Sequence, residues 1–208
     1  RVIWAPFAIG LWLWTLAEVI WAAYNMIYGE VRINIADLFW VGAYGFFAYA
    51  VYLQYQIMFH PAKRENVLWT SLWAAFVFSL TFFIAWLLVT FVDEDQGLPL
   101  WVASFYPAAD IAVGLVALRI FHRFHGGALG YPWLGLFIFG IADMLYAVLD
   151  LGGFYTWSVN AGSLWSMVAD ITYTAAYLFV ALGCFAQLLL LRYGPIFAIV
   201  RKELKKIK

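Results

Sequence analysis

The chain has 208 residues; 66% are hydrophobic and 21% aromatic, but only 12% are charged, and the mean hydropathy is +0.86. A soluble domain carries about 25% charged residues, so a water-soluble globule is excluded, and the long apolar runs with Cys184 as the single cysteine exclude a disordered chain, a collagen and a disulfide scaffold. Twelve Lys+Arg balance twelve Asp+Glu, which leaves no basic excess for nucleic acid and describes an integral membrane protein.

In chain order, six stretches reach the roughly 20 apolar residues that a transmembrane helix needs: Val2–Tyr28, Ile35–Phe59, Val67–Val92, Leu98–Phe121, Leu129–Leu151 and Ala161–Leu191. None alternates as barrel strands do, so the fold class is all-α, a polytopic transmembrane helical bundle. The first span carries Glu18. The second opens on Asp37, with Trp40 and Tyr44 on the same helical face. The third has no ionisable group, and the fourth pairs Tyr106-Pro107 with Asp110. Asp143, Tyr146 and Asp150 share a face of the fifth; Asp170, Tyr173 and Tyr177 share one of the sixth. Residues 1–192 thus form the bundle, and residues 193–208 a basic amphipathic cytoplasmic helix. There Tyr193, Phe197, Val200, Leu204 and Ile207 are spaced as coiled-coil core positions are. A helix lying on an anionic leaflet gives the same stripe. The coiled-coil alternative would support a homodimer and connect span six to a cytoplasmic domain.

Positive charge fixes the expected orientation. Arg1, Lys63, Arg64, Arg119, Arg123, Arg192, Arg201, Lys202, Lys205, Lys206 and Lys208 fall on one side, and Arg32 alone falls on the other, with Glu30 and the loop Asp93-Glu94-Asp95. Both termini are expected in the cytoplasm of a cell-membrane, multi-pass protein, with membrane lipids as partners and no nucleic acid. The chain opens on Arg1 directly into a span, without a signal-peptide pattern. The missing Met raises the expectation that residues precede it.

A parallel internal repeat is expected. Ala17-Glu18-Val19-Ile20-Trp21-Ala22 matches Ala142-Asp143-Met144-Leu145-Tyr146-Ala147, and Asp37, Trp40, Tyr44 and Gln54 line up with Asp170, Tyr173, Tyr177 and Gln187. Spans one and two then correspond to spans five and six. An ancestral bundle of eight spans, the first two upstream of Arg1, accounts for the unmatched spans three and four; a six-span chain with a partial repeat is the alternative.

Half of the carboxylates lie in or at the edge of spans: Glu18, Asp37, Asp110, Asp143, Asp150 and Asp170. Such groups are costly in hydrocarbon and by default point to function. Helix direction puts all six in the outer half, where no Lys or Arg neutralises them. With Tyr44, Tyr146, Tyr173 and Tyr177 they are expected to line an outward-facing acidic–aromatic cavity for an unidentified small ligand or a cation, by cation–π and charge contacts. The alternative is that Asp–Tyr and Asp–Trp bonds simply hold helices together. Trp12, Trp14, Trp69, Trp73 and Trp101 are read as interfacial or lipid-facing, and Gly42, Gly45, Gly114, Gly140 and Gly183 as points of close helix approach.

No enzyme is expected and no cofactor. His60, His122 and His125 lie at cytoplasmic helix ends, and no mid-span His offers a haem ligand. The last span has no Lys for a retinal Schiff base, and no HExxH, GxSxG or nucleotide motif occurs. Cys184 reads as packing.

The Ala-Asp-x-x-Tyr-Ala pattern around Asp143, the Gly-x-Tyr turn at Gly153–Tyr155, Trp165, Ala-Asp around Asp170 with Tyr177, and Tyr106-Pro107 before Asp110 resemble the multi-span sensory regions of microbial membrane proteins that precede diguanylate cyclase or histidine kinase domains. The resemblance covers most of spans four to six and, through the repeat, spans one and two. It implies an input module that binds a ligand and relays a helix shift inward. The alternative is a small secondary transporter or ion-coupled carrier using the same carboxylates.

Overall fold

The structure is a computed structural model that describes residues 2–29, 33–58, 64–92, 96–124, 127–151 and 163–206. It is all-helical among the described residues. The helices are α1 (Trp4–Tyr28), α2 (Ile35–Met58), α3 (Arg64–Val92), α4 (Leu98–Arg123), α5 (Tyr131–Leu151) and α6 (Leu164–Lys206), with a short 3-10 turn at Ala128–Gly130 before α5. Among the described residues, six helices are long and apolar enough to cross a membrane, as a multi-pass membrane protein requires. The acidic loop at 93–95, Glu30, Arg32, His60, His125 and the Gly153–Tyr155 turn lie outside the described residues.

Helix ends follow local chemistry. At the start of α2, Asn34 Oδ1 accepts the Ala36 N–H at 2.7 Å and Asp37 Oδ2 accepts the Asn34 N–H at 2.9 Å. This is a reciprocal capping box with Asp in the usual place of Glu. α6 begins at Leu164 rather than Ala161 because Ser163 caps it, its Oγ accepting the Ser166 N–H at 3.2 Å. α5 starts at Tyr131 rather than Leu129; the preceding residues form the 3-10 turn, and Pro132 occupies the first turn, where its missing N–H costs nothing. α1 ends at Gly29, whose φ of +76° is open to glycine, and whose N–H bonds the Asn25 carbonyl at 3.1 Å. α6 runs unbroken past Pro195 to Lys206, so the 193–208 segment is continuous with span six as far as it is described.

Consecutive helices run antiparallel. α1 and α2 meet through Phe7 on Phe47 and Trp14 on Tyr44. α3 and α4 meet through Phe78 on Phe105 and Phe82 on Trp101. α4 packs on α5 and, in parallel, on α2, while α3 touches the rest chiefly through α4. The α1–α2 and α5–α6 hairpins face each other across an aromatic seam rather than through close backbones. Phe7 lies edge-on to Trp133 with centroids 5.6 Å apart, and Trp14 edge-on to Phe139 at 4.5 Å. Large rings bridge this gap, and Phe7 and Trp133 are fully buried there.

Trp14 is therefore not lipid-facing, as the sequence reading has it, but a buried centrepiece of the seam; Trp12, Trp69, Trp73 and Trp101 are exposed, as expected. Small residues do allow close approach, though not all at the expected positions. A Cβ at Gly140 would sit 2.9 Å from the Asp110 carbonyl oxygen, and one at Gly183 would sit 2.1 Å from Pro132 Cδ. Gly42 and Gly114 leave ordinary contact room, and Gly45 faces open space. Two glycines outside that expectation, Gly10 and Gly135, are also tight inside the hairpins, against Phe47 at 2.7 Å and Val180 at 2.5 Å.

Candidate functional site

The Gly140 contact seats α4 against α5 at the level of Asp110, and the parallel packing of α4 on α2 brings Tyr44 to the same level. One cluster results. The Tyr44 hydroxyl hydrogen-bonds Asp110 and lies 3.0 Å from Asp143 Oδ2. Asp110 and Tyr44 are 4% and 5% exposed, and no protein group partners Asp110 Oδ2. A tyrosine hydroxyl has one proton to donate, and an ionised carboxylate has none. Both contacts become hydrogen bonds only when the two carboxyls hold a proton between them: one donates to the Tyr44 oxygen and Tyr44 donates to the other. The trio is a buried acid–hydroxyl cluster able to share a proton, with its polar groups turned inward.

The other expected residues fall around this trio. Glu18 is half-buried and accepts the Trp14 indole N–H at 3.0 Å. Asp37 is the α2 cap described above, and its second oxygen accepts the Tyr106 hydroxyl at 2.6 Å, tying α4 to α2. All the oxygens of Asp37 therefore serve the fold. Tyr173 and Tyr177 stack on each other and meet the ring of Phe139 edge-on. Glu18 and Asp143 lie within electrostatic reach of the Tyr177 hydroxyl. Tyr146 is half-buried one turn beyond Asp143, while Asp170 is exposed on α6 and is not brought to the cluster. The side chain of Asp150 lies outside the described residues. Where the two acid–aromatic stripes are expected to line a cavity, the rings of Trp14, Tyr44, Phe139 and Tyr177 pack in contact. Among the described residues no three of His, Cys, Asp and Glu converge as metal ligands.

Open space also lies away from the trio. A cleft of about 560 Å³ runs between α2 and α3, backed by α4. Its walls are nearly all apolar, with Ala74, Phe105 and Val113 among them, and Tyr44 forms part of one wall. Polar groups gather at the end formed by the last turns of α2 and the first of α3. There the Tyr55 and Thr70 hydroxyls share a hydrogen bond of 2.7 Å, and Arg119 donates to Thr70 Oγ1 at 3.2 Å with its guanidinium 5.6 Å from the Tyr55 ring centroid. The cleft, with Arg119 beside its Tyr55–Thr70 end, is absent from the sequence reading, which counts Arg119 only among the positive charges of one side. The available signal is that Arg119 falls inside the apolar length of span four. An arginine there needs partners, and Tyr55 with Thr70 supplies them.

Comparisons with protein-family models, with curated proteins and with solved structures find no match for this chain.

Proposed function

We propose that this protein is a membrane sensory module that admits an amphiphile with an apolar tail and an anionic head from the bilayer into the α2–α3–α4 cleft. Its occupancy is read by the Tyr44 relay. One observation carries the reading: Tyr44 is at once a wall of the cleft and the hydroxyl shared by Asp110 and Asp143. A tail against the Tyr44 ring shifts the hydroxyl, and that shift changes which contacts α4 and α5 keep. Because α5 is locked to α6 at Gly135 and Gly183, the displacement passes into α6, which extends to Lys206. Differential affinity for the two packings is the whole of the signal. The ligand type follows from chemistry: apolar walls for a chain, and the Arg119 corner for a negative group.

In this reading the eleven-to-one bias of Lys and Arg puts both termini in the cytoplasm of a cell membrane. α6 then delivers movement to an output domain of the cyclase or kinase type, with dimerisation through its end. The repeat is part of the proposal. Trp14 meets Trp40 and Tyr44 as its counterpart Phe139 meets Tyr173 and Tyr177, and Gly10 against Phe47 repeats as Gly135 against Val180. The proton-sharing pair favours a second reading, a proton-coupled carrier; uptake of the same amphiphile into proteoliposomes driven by a pH gradient would select it over sensing.

The test is saturable binding of dansyl-undecanoate to the protein in nanodiscs. Binding is expected to fall at least tenfold in Ala74→Phe, which fills the cleft, and to weaken in Arg119→Gln. Unchanged binding in Ala74→Phe refutes the site.

A further inference from the structure

The two hairpins are matched in their contacts but not in their surroundings. α4 is the source of the difference: it lies on α5 at Gly140 and on α2 at Asp37 and Tyr44, to which it brings Tyr106 and Asp110. The α1–α6 side carries the matching residues without the helix. Thr15 of α1 stands where Gly140 stands in α5, and Trp12 where Phe137 stands; both are exposed, Trp12 at 76%. Asp170 stands where Asp37 stands and is exposed, whereas Asp37 is buried against Tyr106. Tyr177 stands where Tyr44 stands. It has Glu18 nearby, as Tyr44 has Asp143, but it is 41% exposed where Tyr44 is 5%.

We propose that this α1–α6 face seats one further membrane-spanning helix of the same chain, the span immediately preceding Arg1, carrying a hydroxyl to meet Asp170 and a carboxyl to meet Tyr177. The inference rests on the repeat set out above but not on the ligand of the cleft. Three features of the molecule select this occupant over a lipid or a second copy. An exposed carboxylate, Asp170, two turns before an exposed tyrosine, Tyr177, on one face of a spanning helix calls for polar partners, which acyl chains do not supply. The partners required are those α4 already presents, a Tyr and an Asp one helical turn apart. And α4 reaches its seat because it precedes α5 in the chain through a short connection, so the helix equivalent to it precedes α1.

The experiment uses the full-length natural gene product in its membrane, with the photo-reactive residue benzoylphenylalanine in place of Trp12, and, as a control, in place of Trp69 on the far side of the bundle. The expected result is an intramolecular cross-link from position 12, found by peptide mass mapping in a segment N-terminal to Arg1, at the mass of one chain, and no such link from position 69. A product of double mass, a link to lipid alone, no link, the same link from position 69, or a mature N-terminus at Arg1 overturns the proposal. None of these outcomes bears on the dansyl-undecanoate titration, so the two readings fail separately.

Discussion

Replacing Tyr44 by Phe keeps the ring in the cleft wall and in the seam with Trp14, and removes only the hydroxyl that Asp110 and Asp143 share. Two carboxyls lose a partner together. Asp110, 4% exposed, is left with only the neighbouring Asp143 carboxyl to turn to. Side-chain hydrogen bonds between membrane helices average about 0.6 kcal/mol with a maximum near 1.7, and a buried polar atom left unsatisfied costs about 1–3 kcal/mol. Two such losses at a buried site place Tyr44→Phe at about 2–3 kcal/mol, roughly 30- to 150-fold in the folding equilibrium. Tyr106→Phe is the internal reference. It also removes a hydroxyl from a buried carboxylate, but Asp37 keeps the Asn34 N–H as donor, so about 1 kcal/mol is expected. The assay is reversible unfolding in mixed micelles by SDS titration, followed by tryptophan fluorescence. Equal losses for the two variants, or a Tyr44→Phe variant indistinguishable from the parent, would refute the shared relay.

Asp143→Asn supplies an amide N–H to the Tyr44 oxygen, as a proton-bearing carboxyl does, and is expected within about 1 kcal/mol of the parent; Asp143→Leu is expected to cost about 1–3 kcal/mol more. If Asn proves as harmful as Leu in the same titration, the site requires a negative charge rather than a shared proton. Gly183→Ala drives a methyl into the rigid Pro132 ring and is expected to cost about 1–3 kcal/mol. Gly45→Ala meets nothing within 4 Å and is expected to be neutral or to gain up to about 1 kcal/mol from helix propensity. A reversed order of the two glycine variants would show that α5 and α6 are not locked at that contact.

The fold class was legible because hydrocarbon leaves so few solutions: uninterrupted apolar runs of span length can only be helices. The scarce polar residues were also legible as a set, and Asp110, Asp143 and Tyr44 do meet. Their use was harder to read. Period and spacing place Asp37 and Asp170 on equivalent faces, yet one is a helix cap bonded to Tyr106 and the other is exposed. That difference comes from which helix lies alongside, and it is a tertiary fact. Trp14 was misjudged for a related reason. In an ordinary span a tryptophan belongs at the interface, but here the hairpins stand far enough apart that a large ring is needed to fill the gap with Phe139. The cleft left no trace in composition, since its apolar lining is indistinguishable from a lipid-facing surface. Only Arg119, inside an apolar length, marked where to look.

The hydrogen bonds of Tyr44 reach forward 66 residues to Asp110 and 99 residues to Asp143. At about 5–20 residues per second of synthesis, the hydroxyl spends about 5–20 s without its final partners, after α1 and α2 have been made and before α5 arrives. During that interval the first hairpin is held by its own α1–α2 packing, Gly10 against Phe47 and the aromatic contacts among it. The relay therefore closes late in biogenesis, and it closes only if α4 and α5 enter in the correct register. An insertion error that displaced α5 by one helical turn would leave the Asp143 carboxyl unmatched in hydrocarbon, a defect that membrane quality control could detect as failed assembly.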